Sequence, residues 1–172
     1  MHPSGDLGVT SASCRGGSLT RPVRGYPAAV IRPLCESDYD AWYRLWEGYL
    51  RFYRARVPPA TTTKTFERLV SRSDGMLGLV ALGADEALVG FAHVIFHPST
   101  WSDTCYCYLE DLFVAPAARG TTAGRALIEA TYDEADRVGA AVTYWQTQQY
   151  NGAARSLYDQ VAHASSFIVY RR

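Results

Sequence analysis

The stretch from Tyr108 to Leu127, YLEDLFVAPAARGTTAGRAL, limits the possible folds more than any other part of the chain. It opens with apolar side chains at strand spacing and breaks at Pro116. It then passes through Arg119-Gly120 and resumes in residues that favour a helix. A strand that turns through a short glycine loop into a helix leaves backbone N–H groups without intrahelical partners at the helix start. The helix dipole makes such amides a ready seat for an anionic phosphate. A second segment, NGAARSLY from Asn151 to Tyr158, follows at the distance of one β-α unit. Together the two segments predict a domain that holds a phosphate-bearing cofactor.

Patterning of the rest predicts what surrounds them. A short apolar run, Ala28 to Pro33, reads as a first strand. Ser37 or Asp38 is placed to cap the helix that follows, whose aromatic face is set by Trp42, Leu45, Trp46, Tyr49, Leu50 and Tyr53. Pro58-Pro59 stops it, and Thr63 to Ser71 reads as a second helix. Two strands, Met76–Leu82 and Ala87–Phe96, are joined by a hairpin turn, and Cys105–Val114 is the next. A helix over Thr122–Val138, a strand over Ala141–Gln146, a helix over Ala153–Val161 and a closing strand over Ser166–Tyr170 complete the order. That order, β-α-α-β-β-β-α-β-α-β, predicts one α/β domain over residues 28–172, with a mixed, mostly antiparallel twisted sheet flanked by helices. Residues 1–27, rich in Gly, Ser and Pro without a period, read as a mobile tail.

Composition narrows the function classes. Lys plus Arg and Asp plus Glu balance at 17 each, which argues against a nucleic-acid or anionic-membrane footprint. No apolar run approaches the roughly 20 residues of a membrane helix, and no secretory leader is evident. The four cysteines lack the spacing of a metal site, so no metal is expected. Free thiols fit a reducing cytoplasm.

The two segments resemble the cofactor motifs of the GNAT superfamily of acetyl-CoA-dependent N-acetyltransferases. Arg119-Gly120-Thr121-Thr122-Ala123-Gly124 stands where that superfamily has Arg/Gln-x-x-Gly-x-Gly/Ala. Asn151, Ala154, Leu157 and Tyr158 match its second motif. YLEDLFV, the HPSTW loop and the aromatic first helix look like the spermidine/spermine and histone-and-polyamine branches. The chain departs at Thr122, where glycine is usual. A left-handed backbone there would make Thr costly, whereas a helical one would accommodate it.

The resemblance implies roles. Arg119, Gly120, Thr121, Thr122, Ala123, Gly124 and Arg125 would hold the coenzyme's diphosphate, with Asn151, Ala154 and Tyr158 completing the site. Leu112, Phe113 and Val114 would offer main-chain groups to the pantetheine arm and to the developing oxyanion. Tyr158 matches the general acid and Glu110 the general base. Glu110 and Asp111 alternate faces on a strand, so only one can enter the acceptor cleft. Trp46, Tyr49, Trp101, Asp111 and Gln146 are the expected acceptor contacts. The implied reaction is direct acetyl transfer to a primary amine on a polyamine, an amino acid or an amine-bearing natural product. A protein lysine, or coenzyme binding without turnover, is the alternative. A homodimer through the closing strand is expected.

Overall fold

The structure, a computed structural model, describes residues 29–172. The tail expected over 1–27, and Ala28, lie outside them. Five strands form one sheet in sequential order: β1 (Val30–Pro33), β2 (Met76–Leu82), β3 (Leu88–Pro98), β4 (Cys105–Val114) and β5 (Val142–Trp145). The first four pair antiparallel, and β5 runs parallel to β4. Helices α1 (Tyr39–Tyr53) and α2 (Pro59–Ser71) precede β2. Helix α3 (Ala123–Val138) makes the crossover between β4 and β5, and α4 (Gly152–Val161) follows. A parallel pair needs such a crossover, which is why the long amphipathic segment falls between these two strands.

Strand alternation sends side chains to two cores. Leu77, Leu79, Ala92, Val94, Cys107 and Leu109 pack on one face with Leu127 and Ile128 of α3. Val80, Phe91 and Phe113 pack on the other against Trp42, Trp46, Phe66 and Leu69 of α1 and α2. Helix α1 ends at Arg54, which is left-handed at φ 52° and donates its N–H to Arg51 and Leu50, so the helix stops before Pro58-Pro59. Helix α2 begins at Pro59, earlier than Thr63, because proline suits the first helical position, where an N–H has no partner anyway. Asp38 does stand at the N-cap of α1. Its carboxylate, however, turns back to accept the Cys35 N–H at 2.9 Å and to pair with Arg32 at 2.6 Å.

The closing strand expected over Ser166–Tyr170 does not form; the sheet ends at β5. Phe167, Ile168, Val169 and Tyr170 are all exposed, at 57–86%. High β-propensity alone makes no strand. A strand needs a neighbour to take its main-chain hydrogen bonds, and among the described residues this segment finds none.

Two interruptions shape the sheet near its centre. His93 of β3 faces Asp111 of β4, but Val94 faces Leu109, so Glu110 is an extra residue, a bulge. The bulge inverts the alternation. Cys107 and Leu109 lie on the α3 face, and after the bulge Leu112 and Val114 lie there instead, with Phe113 on the α1 face. Moreover β5 pairs with β4 only from Tyr106 to Leu109. Beyond that point the two strands part.

Candidate active site

The parting of β4 and β5 opens a cleft of about 450 Å³. One wall is Leu112, Phe113 and Val114 of β4. The opposite wall is Ala154, Leu157 and Tyr158 of α4, and Tyr49, Phe52 and Tyr53 of α1 close one side. Its far wall is the loop into α3. Pro116–Ala118 makes a single 3-10 turn, and Gly120 then takes φ +78°, the left-handed region that favours glycine. Thr121 Oγ1 donates to the Ala118 carbonyl at 2.7 Å and accepts the Ala123 N–H at 3.3 Å, which fixes the approach to the helix. Thr122 occupies the N-cap with φ −77° and ψ −7°. Its backbone is already helical, so threonine is unstrained where glycine is usual.

This geometry fits a diphosphate and a pantetheine arm. The N-terminal turn of α3 faces the cleft through Gly120, Thr121 and Gly124. Gly124 packs closely on α4: a Cβ there would stand 3.3 Å from Leu157 Cδ2, which would have to give by a few tenths of an ångström, and in ordinary contact at 3.7 Å with Val114 Cγ2. On the side of β5, β4 beyond Leu109 has no strand beside it among the described residues, so an extended ligand can add to the sheet there. Arg119 lies over Phe52 and Phe113, its guanidinium 5.7 and 5.8 Å from the ring centroids, and its Nε donates to the Val114 carbonyl at 3.2 Å.

The sequence-derived cofactor residues divide accordingly. Leu112, Phe113, Val114, Arg119, Gly120, Thr121, Gly124, Asn151, Ala154 and Tyr158 line the cleft. Thr122, Ala123 and Arg125 do not. Ala123 is buried in the core, and Arg125 Nη2 donates to Gln160 Oε1 at 2.6 Å, tying α3 to α4. Asn151 opens α4, with Nδ2 donating to Thr147 Oγ1 at 3.2 Å.

A small recess of about 10 Å³ joins the cleft, lined by Glu110, Gln146, Trp145, Tyr49, Tyr53 and Tyr158. Burial, reinforced by Asp111, raises the Glu110 carboxyl above the usual glutamate range, while Arg171 opposes the shift. Burial, with a further push from Tyr53, raises the Tyr158 phenol to about 12. Tyr49 is raised by burial first and then by Asp111. Asp111 does not line the recess itself. It sits behind Tyr49, its Oδ2 2.9 Å from His93 Nδ1.

Three expected acceptor contacts line neither the cleft nor the recess: Asp111, behind Tyr49, and two tryptophans. Trp46 is 6% exposed and belongs to the core, stacked on Trp42 and Tyr49 with Nε1 donating to Thr62. An apolar face at helical spacing is the same signal whether it faces core or ligand. Trp101 is 83% exposed and lines neither the cleft nor the recess. Residues the reading missed include Phe52, Ala118 and Gln160. Phe52 and Gln160 carry no local signal, since they reach the cleft only through the packing of α1 and α4, and Ala118 reaches it through the 3-10 turn ahead of Arg119. Glu110 as the bulged residue also had no sequence signature.

Comparison with known proteins agrees with the site. Residues 41–163 match the model of the acetyltransferase (GNAT) family. The chain is 34% identical over 144 residues to the D-amino-acid N-acetyltransferase HPA3 of Saccharomyces cerevisiae, covering 83% of this chain and 89% of that protein. It is 32% identical over 131 residues to the uncharacterized N-acetyltransferase YhfO of Bacillus subtilis, covering 76% and 86%. In fold it superposes on the ribosomal-protein-alanine N-acetyltransferase of Brucella melitensis with a TM-score of 0.71 at 23% identity, covering 85% of this chain and 99% of that one. A strand-parted sheet, a helix-start amide loop and a family match over most of its length thus converge. The chain belongs to the GNAT family of acetyltransferases, enzymes that take their acyl group from acetyl-CoA.

Proposed function

We propose that this enzyme transfers acetyl directly from acetyl-CoA to the primary amine of a small molecule, with an amino acid as the foremost acceptor. The observation that carries this reading is the cleft itself. It joins a diphosphate seat at the start of α3 to a narrow recess lined by a carboxyl and three phenols. A recess that small admits the ammonium end of an acceptor and no more. The choice of an amino acid is supported by likeness to a D-amino-acid N-acetyltransferase.

When bound, acetyl-CoA supplies an activated thioester. The cleft-lining Gly120, Thr121 and Gly124 would hold the diphosphate by main-chain N–H groups, with Arg119 adding charge. The Leu112–Val114 edge orients the pantetheine arm and presents N–H groups to the thioester oxygen. Glu110 takes the proton from the amine as its nitrogen attacks. Tyr158 donates a hydrogen bond to the departing sulfur. A phenol near 12 stays protonated, and full proton transfer to a thiolate near 8.5 is uphill, so it stabilises the thiolate rather than neutralising it. A route through an acyl-cysteine is disfavoured. Cys107 is fully buried and its thiol is raised to about 11 by burial, despite a hydrogen bond with Thr143.

We also read the protein as a homodimer. The unpartnered row Phe167–Tyr170 and the outer edge of β5, which has no strand beside it among the described residues, support pairing between copies.

The test is thiol release from acetyl-CoA with a panel of D- and L-amino acids, polyamines and lysine peptides, beside calorimetry with acetyl-CoA alone. Turnover on amino acids is the expected result. Binding without thiol release across the panel would replace the enzyme reading by a sensor.

A further inference from the structure

The sheet carries one buried imidazole that its core does not need. His93 is 1% exposed on β3, packed against Phe91 at 4.4 Å between ring centroids and near Trp42 and Trp46. A buried imidazole is costly unless both nitrogens are bonded. Here both are. Trp42 Nε1 donates to His93 Nε2 at 2.9 Å, and His93 Nδ1 lies 2.9 Å from Asp111 Oδ2.

The direction of this chain is fixed at one end, because an indole N–H can only donate. His93 Nε2 therefore accepts and carries no proton. The one ring proton lies on Nδ1 and is donated to Asp111. The imidazole is neutral, so it holds the carboxylate without cancelling its charge. Among the described residues no Lys or Arg pairs with Asp111. The Asp111 side chain is only 14% exposed; it also accepts a hydrogen bond from the Tyr49 phenol, and its charge reaches the Tyr53 phenol, both of which line the cleft and the recess.

We propose that His93 is a positioning residue: kept neutral by Trp42, it fixes Asp111 as an uncompensated negative charge behind Tyr49, and that charge draws the acceptor's ammonium into the recess. This rests on the reading that the acceptor is an amine. A largely buried carboxylate held by neutral donors keeps its charge and favours a cation nearby. The ammonium supplies that cation on arrival; it gives one proton to solvent to become the neutral amine, and the Glu110 carboxylate takes the second as the C–N bond forms and the thiolate leaves. The bulge makes this division of labour possible. It puts Glu110 on the recess and turns Asp111 toward α1, so two successive acids serve different ends.

Three measurements test it. Nitrogen-15 NMR of the wild-type protein should show His93 as the neutral Nδ1–H tautomer; an imidazolium or an Nε2–H form overturns the proposal. Calorimetry in the presence of coenzyme A should show alaninamide, a cation, binding at least about tenfold tighter than neutral lactamide, with the preference lost in Asp111→Asn. Equal affinities in the wild type, or a preference retained in Asp111→Asn, overturn it. In turnover, His93→Leu should raise KM for the amine about tenfold while KM for acetyl-CoA stays within experimental error, and His93→Asn, which keeps a neutral donor, should restore much of the loss. Unchanged amine KM in folded His93→Leu sinks the idea. Failure of every amine to be acetylated by the wild type would instead strike the functional reading, while the tautomer and the cation preference still decide the role of His93.

Discussion

Individual residues carry the sharpest consequences. Tyr158→Phe keeps the ring and removes the hydrogen bond to the leaving sulfur. It should lower kcat about 10²-fold with little change in KM for acetyl-CoA, as read by steady-state kinetics. Glu110 is the proposed base, and burial followed by Asp111 raises its pKa. Only the ionised form accepts a proton, so kcat/KM should fall as pH drops through a midpoint above the ordinary glutamate value. Glu110→Gln should abolish that limb, and a limb that survives the substitution assigns the base elsewhere. Asp38 shows the opposite sign. Burial alone would raise it, but the hydrogen bonds from Arg32 and Cys35 and the Arg32 charge outweigh burial and hold it low. Its contribution to folding is then present above the usual aspartate range and lost as pH falls below it. Asp38→Asn should cost about 3 kcal/mol at pH 7 in urea denaturation, and the gap to wild type should narrow below about pH 4. At this scale the places of Tyr158, Arg119 and Gly120 on the cleft wall were readable because each sits in a motif. Trp46 was misread because burial has no sequence mark distinct from an aromatic ligand wall.

At the scale of elements, the loop and first turn of α3 act as one device. Gly120 turns the chain, Thr121 ties the turn, and the helix amides follow. A Cβ at Gly120 meets nothing within 4 Å, so Gly120→Ala tests backbone conformation alone. It should destabilise the fold by about 1–2 kcal/mol and raise KM for acetyl-CoA, as the left-handed turn relaxes. Unaltered stability and KM together would show that the turn does not need glycine. Strand β4 is the other working element. Its apolar pattern located it to the residue, Cys105–Val114, yet the bulge at Glu110 escaped notice. A bulge changes which residue faces which partner without changing the residue types, so it becomes visible only once β3 is laid beside β4.

For the whole molecule, the decisive feature is a sheet that closes on one side and opens on the other. The closing strand expected at 166–170 leaves its apolar side chains in solvent in the single chain, a surface that favours a partner. Removal of residues 165–172 should convert the expected dimer to monomer in light scattering without loss of the thermal transition. A wild-type protein that scatters as a monomer would remove the dimer. The amino-acid sequence by itself determined the element order, the mixed α/β class, the amide loop and the second motif, because these depend on local spacing, turn chemistry and periodicity. It also placed Tyr158 and Glu110 among the residues to watch. Only the tertiary structure decided which aromatic residues of α1 are core and which face the cleft, that Glu110 and Asp111 part at a bulge, and that His93 stands beneath Asp111. Those outcomes depend on pairing register and on packing between segments far apart in the chain, and no local pattern encodes either.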